Sequence, residues 1–182
     1  MERSEIDFYK VLFEDLDPEK LRKRFLTLLL TLQNVERGSI WIRKNNKYVC
    51  IESLGGPSRM DIIKGASIST EQTSIVGWVM THGQMTVAEV GKDQRHYQEF
   101  ETEMTVKSTR ILALPLVFRN KEIYGVVQIV DISPDKGQLN LDQQYLDLLK
   151  GIVDIGAIAL GDALEHNKQA RQNSELKQTL NE

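Results

Sequence analysis

Between Thr109 and Asp131 the chain reads TRILALPLVFRNKEIYGVVQIVD, and its apolar positions leave no side for water. Ile111, Ala113, Pro115 and Val117 alternate with Leu112, Leu114, Leu116 and Phe118, so a strand here must be covered on both faces. The polar run Arg119-Asn120-Lys121-Glu122 is short enough to join two antiparallel strands. The second arm, Ile123 to Ile132, is again apolar on both faces apart from Tyr124 and Gln128. A hairpin sealed on both sides predicts an antiparallel sheet between two layers of helices or loops.

The covering elements are visible in the rest of the pattern. Asp17-Pro18-Glu19 is a helix start, and Leu21, Phe25, Leu28, Leu29, Leu32 and Val35 recur at helical spacing. Leu26 and Leu30 widen that stripe, so the helix needs more than one neighbour, either its own sheet or the same helix of a second chain. Gly38 is read as its stop, followed by a hairpin of Ser39–Arg43 and Lys47–Ser53 around Asn45-Asn46. Met60–Ile68 is predicted as loop with some strand, Thr73 or Ser74 as the cap of a short helix stopped at Gly83, and Met85–Val90 as a strand. Gly77 within that short helix points to close approach of another backbone.

The polar stretch Gly91–Lys107 has room for a short helix over Gln94–Glu103. Asn140 and Gln143 read as a capping box opening the longest helix. Its apolar face is Tyr145, Leu148, Leu149, Ile152, Ile155, Ala159, Leu160 and Ala163, and Gly151, Gly156, Ala157 and Gly161 keep it slim. Beyond Leu164 only Leu176 and Leu180 remain among polar residues, which reads as a helical linker to an output domain further on.

Composition narrows the classes. With 182 residues, 41% of them hydrophobic, the chain can bury a real core. A net charge of -3 without a basic block argues against direct nucleic-acid binding. The single Cys50 excludes an internal disulfide framework or a thiolate metal cage. The most apolar run, Phe25–Leu32, falls short of the roughly 20 residues that cross a bilayer. No membrane association and a cytoplasmic location are expected.

Taken in order, the pieces resemble the GAF domain family, PAS-like ligand sensors. The resemblance rests on Gly38-Ser39-Ile40-Trp41-Ile42, on Ser74-Ile75-Val76-Gly77-Trp78-Val79 with Gly83 and Val87, and on Ile111-Leu112-Ala113-Leu114-Pro115-Leu116. Gly125-Val126-Val127-Gln128-Ile129 and the helix Asp142–Ala163 complete it. It implies an α+β fold: a central antiparallel sheet of roughly five to six strands, the N- and C-terminal helices on one face, and short helices and loops enclosing a pocket on the other. Three regions follow: 1–37 as a helical region packing on the sheet or a dimer partner, 38–164 as the GAF core, and 165–182 as the linker.

A ligand in such a pocket would meet Trp78 and Phe100 as walls, Arg95, His96, Tyr97 and Thr105 as polar contacts, and Gln128 rising from the sheet. Gln128 is the most informative, because a buried amide on an apolar strand costs a few kcal/mol unless paired. On the other face it would be a structural hydrogen-bonding residue. Cyclic-nucleotide-binding relatives carry an Asn-Lys, Phe, Asp-Glu signature that Tyr97-Gln98-Glu99-Phe100-Glu101 does not reproduce, which argues against cyclic GMP or AMP. Cys50 is poorly placed for a bilin, and free-methionine-sulfoxide reductases of this fold need more cysteines. His82, expected in a turn, and His166, on the tail, are not positioned to hold iron, so no metal, cofactor or catalytic residue is assigned.

The function expected is a non-catalytic sensory and regulatory module of a bacterial signalling protein. The candidates are a sigma-54-dependent transcription regulator, a histidine kinase or a cyclic-di-nucleotide enzyme. It would bind an unidentified small molecule and relay occupancy through the terminal helices of a homodimer. The alternatives are a dimerisation module with a vestigial pocket and an enzyme on the same scaffold.

Overall fold

A computed structural model describes residues 17–55, 63–89, 92–95, 110–131 and 139–180. Six strands form one antiparallel sheet in the order β3-β2-β1-β6-β5-β4: β1 is Arg37–Lys44, β2 Lys47–Leu54, β3 Ser67–Ser69, β4 Thr86–Glu89, β5 Arg110–Val117 and β6 Ile123–Asp131. The helices are α1 (Pro18–Gln33), α2 (Ile75–His82) and α3 (Gln143–Leu180). The β5–β6 hairpin lies inside the sheet, where its two-sided apolar pattern belongs. Pro115 lies past the last β4 pairing at Ala113, so its missing N–H costs no ladder bond on that side.

One face carries α1 and α3. Leu21, Phe25, Leu26, Leu29 and Leu30 are all buried in a core shared with Ile40, Leu112, Leu114, Val127, Ile129, Leu149 and Leu160. Most of the wide apolar stripe of α1 is therefore covered within the chain, by the sheet and by α3, while Leu28 and Leu32 stay partly exposed. The other face carries α2, whose Ile75, Val76 and Val79 pack on Trp41, Tyr48, Ala113 and Val126.

The helix ends refine the sequence reading. Asp17 caps α1 as expected, its carboxylate accepting from the backbone N–H groups of Glu19 and Lys20 at 3.0 Å each. The helix stops at Asn34, in the left-handed region at φ 51, and not at Gly38. Gly38 lies inside β1, where a Cβ would come within 3.0 Å of Leu26 and Leu30 and 2.8 Å of the Gln128 carbonyl. Its role is to let α1 approach the sheet. Ser74 is the cap of α2, accepting from the Gly77 N–H at 2.9 Å. A Cβ on Gly77 would meet that hydroxyl at 3.1 Å and the ring of Tyr48 at 3.5 Å, with the backbone carbonyl of Gln72 next at 3.8 Å.

The capping box at α3 does not form. Asn140 Oδ1 accepts from the Asp142 N–H, and the Gln143 amide donates forward to Asp147. Gly156 and Gly161 do admit neighbours, the rings of Phe25 and Phe118, whereas Gly151 faces open space and packs nothing. At 38 residues α3 is about 57 Å long. Every residue from Lys168 to Leu180 is exposed. No helix among the described residues is long and apolar enough to cross a membrane.

Candidate functional site

Strand alternation decides what faces α2. Gly38 points at α1, so its neighbours Arg37 and Ser39 point the opposite way, as does Trp41 in the α2-side core. Across the ladder these three stand opposite Val130, Gln128 and Val126 of β6. Gln128 thus lies on the α2 face, half-buried between Ser39 on one side and Ala113 on the other. The alternative, a structural amide under the terminal helices, does not hold.

The indole of Trp41 donates to Ser39 Oγ at 2.8 Å within the core. Ser53 of β2 stands opposite Ser39 in the ladder, and both are buried. Ser53, Ser39 and Gln128 therefore form a polar row across three adjacent strands in an otherwise apolar floor. Arg37 stands one step along β1 from this row, and Gly55 closes against it. With φ +109 and a Cβ position 1.7 Å from the Glu36 carbonyl, Gly55 can be no other residue without moving the chain.

At the α2 end, Trp78 and Arg95 meet each other. Arg95 Cζ lies 4.6 Å from the Trp78 ring centroid, and His82 stacks on the same indole at 4.3 Å. His82 is the last residue of α2, not part of a turn, and its Nδ1 is 2.8 Å from the Trp78 carbonyl. Arg95 is already engaged. It donates to both carboxylate oxygens of Asp93, at 2.9 and 2.6 Å, and to Thr86 Oγ1 at 3.0 Å. Those hydrogen bonds to Asp93 hold its pKa above the ordinary value. Arg95 is therefore a fixed cation on the rim, with its hydrogen-bonding edge occupied. His96, Tyr97, Phe100 and Thr105 lie outside the described residues.

Sequence reasoning passed over Arg37 and Glu52. Arg37 is 6% exposed, and its Nε is buried without a hydrogen-bond partner. Burial pulls its pKa below the ordinary value. The available signal was its place one residue before Gly38, which fixes its face once the strand is extended backward. Glu52, on β2, is 2% exposed and belongs to the other layer, where Arg22 of α1 meets it at 3.0 Å and Lys64 at 3.5 Å.

Two hollows open on the helix side. One of about 680 Å³ runs between the start of α1, the β1 end at Arg43-Lys44 and α3 at Lys168 and Arg171. Another of about 330 Å³ lies between Met85, Pro115 and Lys150. Neither includes any residue of the polar row. Among the described residues no three His, Cys, Asp or Glu side chains are grouped to hold a metal ion.

Residues 15–161 match the family model of the GAF domain. The chain belongs to the GAF domain family. The GAF domain is 27% identical over 161 residues to a cGMP-specific 3',5'-cyclic phosphodiesterase from Drosophila ananassae; the alignment covers 82% of this chain and 14% of that enzyme. Its fold superposes on a GAF domain/HD domain protein from Geobacter sulfurreducens with a TM-score of 0.68 at 14% identity, covering 86% of this chain and 97% of that one. The GAF domain of a two-component sensor histidine kinase from Bacillus halodurans gives 0.63 at 18% identity, with 82% and 97% covered. The six-stranded sheet and its helical layer are thus those of the family.

Proposed function

We propose that this GAF domain is a non-catalytic sensory module that binds a small molecule over the α2 face and passes its occupancy to α3. The observation that carries the reading is the sharing of strands. β1 and β6 present Ser39 and Gln128 to the α2 side while their alternate residues, Ile40, Val127 and Ile129, carry α1 and α3. A ligand that moves the floor moves the helical layer with it, because the close-packed interior transmits small displacements. α3 is then the output, since it runs from that layer into exposed chain. A homodimer paired through α1 and α3, with an output domain joined beyond α3, gives the relay something to act on.

Two engaged groups support a binding role over a catalytic one. Cys50 is buried with its thiol pushed up to about 12, and His82 is held against the Trp78 carbonyl. The phosphodiesterase relative is named for cyclic GMP, a property of an enzyme of which this chain matches 14%. The residues that argued against a cyclic nucleotide, 97–101, lie outside the described ones.

The test is mass spectrometry of small molecules retained through native purification, followed by cross-linking along α3 with the retained compound present and removed. A retained compound that changes the spacing of α3 cross-links is the expected outcome. Cross-links that stay unchanged on saturation would sink the relay, and an empty protein that responds to no compound would sink the sensory reading.

A further inference from the structure

Among the described residues, buried charges are paired with one exception. Glu52 has Arg22 and Lys64, and Asp131 has Arg110 at 3.0 Å. Arg37 is as deeply buried as Asp131 or Glu52 to within a few per cent, yet it makes no ion pair among the described residues and its Nε has no acceptor. The buried Nε is costly, because it has given up water and received no acceptor in return. It also cannot neutralise itself by losing a proton.

The position is a built one. β1 alternation sends Arg37 to the α2 face, beside Val130 of β6, with Gly55 closed against its backbone. Ser39 is two residues along the strand, about 6.8 Å away, and Gln128 stands opposite Ser39. Trp41 donates its indole N–H to Ser39 Oγ, so the hydroxyl keeps its own proton as a donor. The face therefore offers a cation, then a hydroxyl and an amide, then an aromatic wall, in that order along two strands.

We propose that Arg37 is the oxyanion-binding residue of this face, and that the ligand is a small organic anion whose carboxylate or phosphate pairs with the guanidinium while its body crosses Ser39 and Gln128. Resting on the sensory reading above, this names the chemistry of its ligand. A planar fork of donors suits either oxyanion bidentately, and one held in a largely buried side chain binds it more strongly than a surface lysine would. Arg95 does not compete, since Asp93 already occupies its fork.

Thermal unfolding of the chain tests this, with disodium succinate for the carboxylate and inorganic phosphate for the phosphate, each against sodium chloride at matched ionic strength. One of the two is expected to raise Tm by about 4 °C at ten times its dissociation constant, and which one does so identifies the source of the charge. In Arg37→Met that rise disappears, while the ligand-free Tm goes up because an unpaired buried charge has been removed. Arg37→Lys keeps the charge without the fork, so it weakens the binding at least about tenfold. A lower ligand-free Tm in Arg37→Met would mark a structural residue and overturn the proposal. So would an anion response equal in all three proteins, or none in the unsubstituted one. A neutral or cationic compound retained on native purification would end this proposal and leave the sensory reading standing.

Discussion

Cys50 is 1% exposed, and its Sγ donates to the Glu52 carbonyl at 3.3 Å. The folded thiol ionises near 12 and the unfolded one near 9.0, so the unfolded chain releases its proton first and stability falls as pH rises between those values. Compared with Cys50→Ala, the unsubstituted protein is expected to lose about 1.4 kcal/mol more per pH unit above pH 9 in urea titrations. Iodoacetamide at pH 8 should leave it unlabelled until it unfolds. Gly156 carries the sharper steric case. A Cβ there would lie 2.2 Å from the Phe25 ring, inside a core with no slack, so Gly156→Ala should cost about 1–3 kcal/mol by denaturant unfolding. The small residue was legible in the sequence, but the ring that requires it lies on another helix and was not. The same limit hid Arg37, whose meaning comes from lacking a partner, and partners are not written in a single strand's pattern.

α1 is fastened to β2 by more than apolar contact. Glu52 accepts from Arg22 at 3.0 Å and is almost fully buried, so Glu52→Gln leaves a guanidinium without its charge partner and should destabilise the fold by about 3 kcal/mol. Reversible urea unfolding is the check, with an unchanged m-value showing that the fold itself survives. At α1 the sequence was readable at its start, because Asp17-Pro18 is local chemistry with one interpretation. Its end was not, because Asn34 and Gly38 both qualify as stops and only the packing of Leu26 and Leu30 over Gly38 assigns the glycine to the strand. The box at Asn140 and Gln143 failed for a similar reason: Gln33 of α1 accepts the Asn140 N–H at 2.8 Å, and the Gln143 amide donates to Asp147 at 2.7 Å instead. Tyr124 and Tyr145, whose hydroxyls donate to the carbonyls of Ala157 and Leu32, tie α3 to the sheet and to the end of α1.

For the molecule as a whole, the two-layer arrangement was legible from the β5–β6 hairpin, since a strand apolar on both faces leaves little choice of architecture. The α2 face was legible in kind, and Trp78, Arg95 and Gln128 do fall on it or at its rim. Which of two arginines stays available was a matter of pairing, and pairing needs coordinates. Removing everything after Leu164 should leave the unfolding midpoint within about 1 °C, because the residues deleted bury almost nothing. A large drop would show that they are covered in solution by something else, and an accompanying change of mass would name it as a second copy. The sheet itself has a bearing on how such copies can meet. Among the described residues its two borders, β3 with three residues and β4 with four, are its shortest strands. A border that short offers few free backbone groups to an incoming strand, so the fold is poorly suited to strand-by-strand addition. Concentrated protein is expected to stay free of fibrils, and copies held side by side in one polypeptide can crowd without exchanging strands.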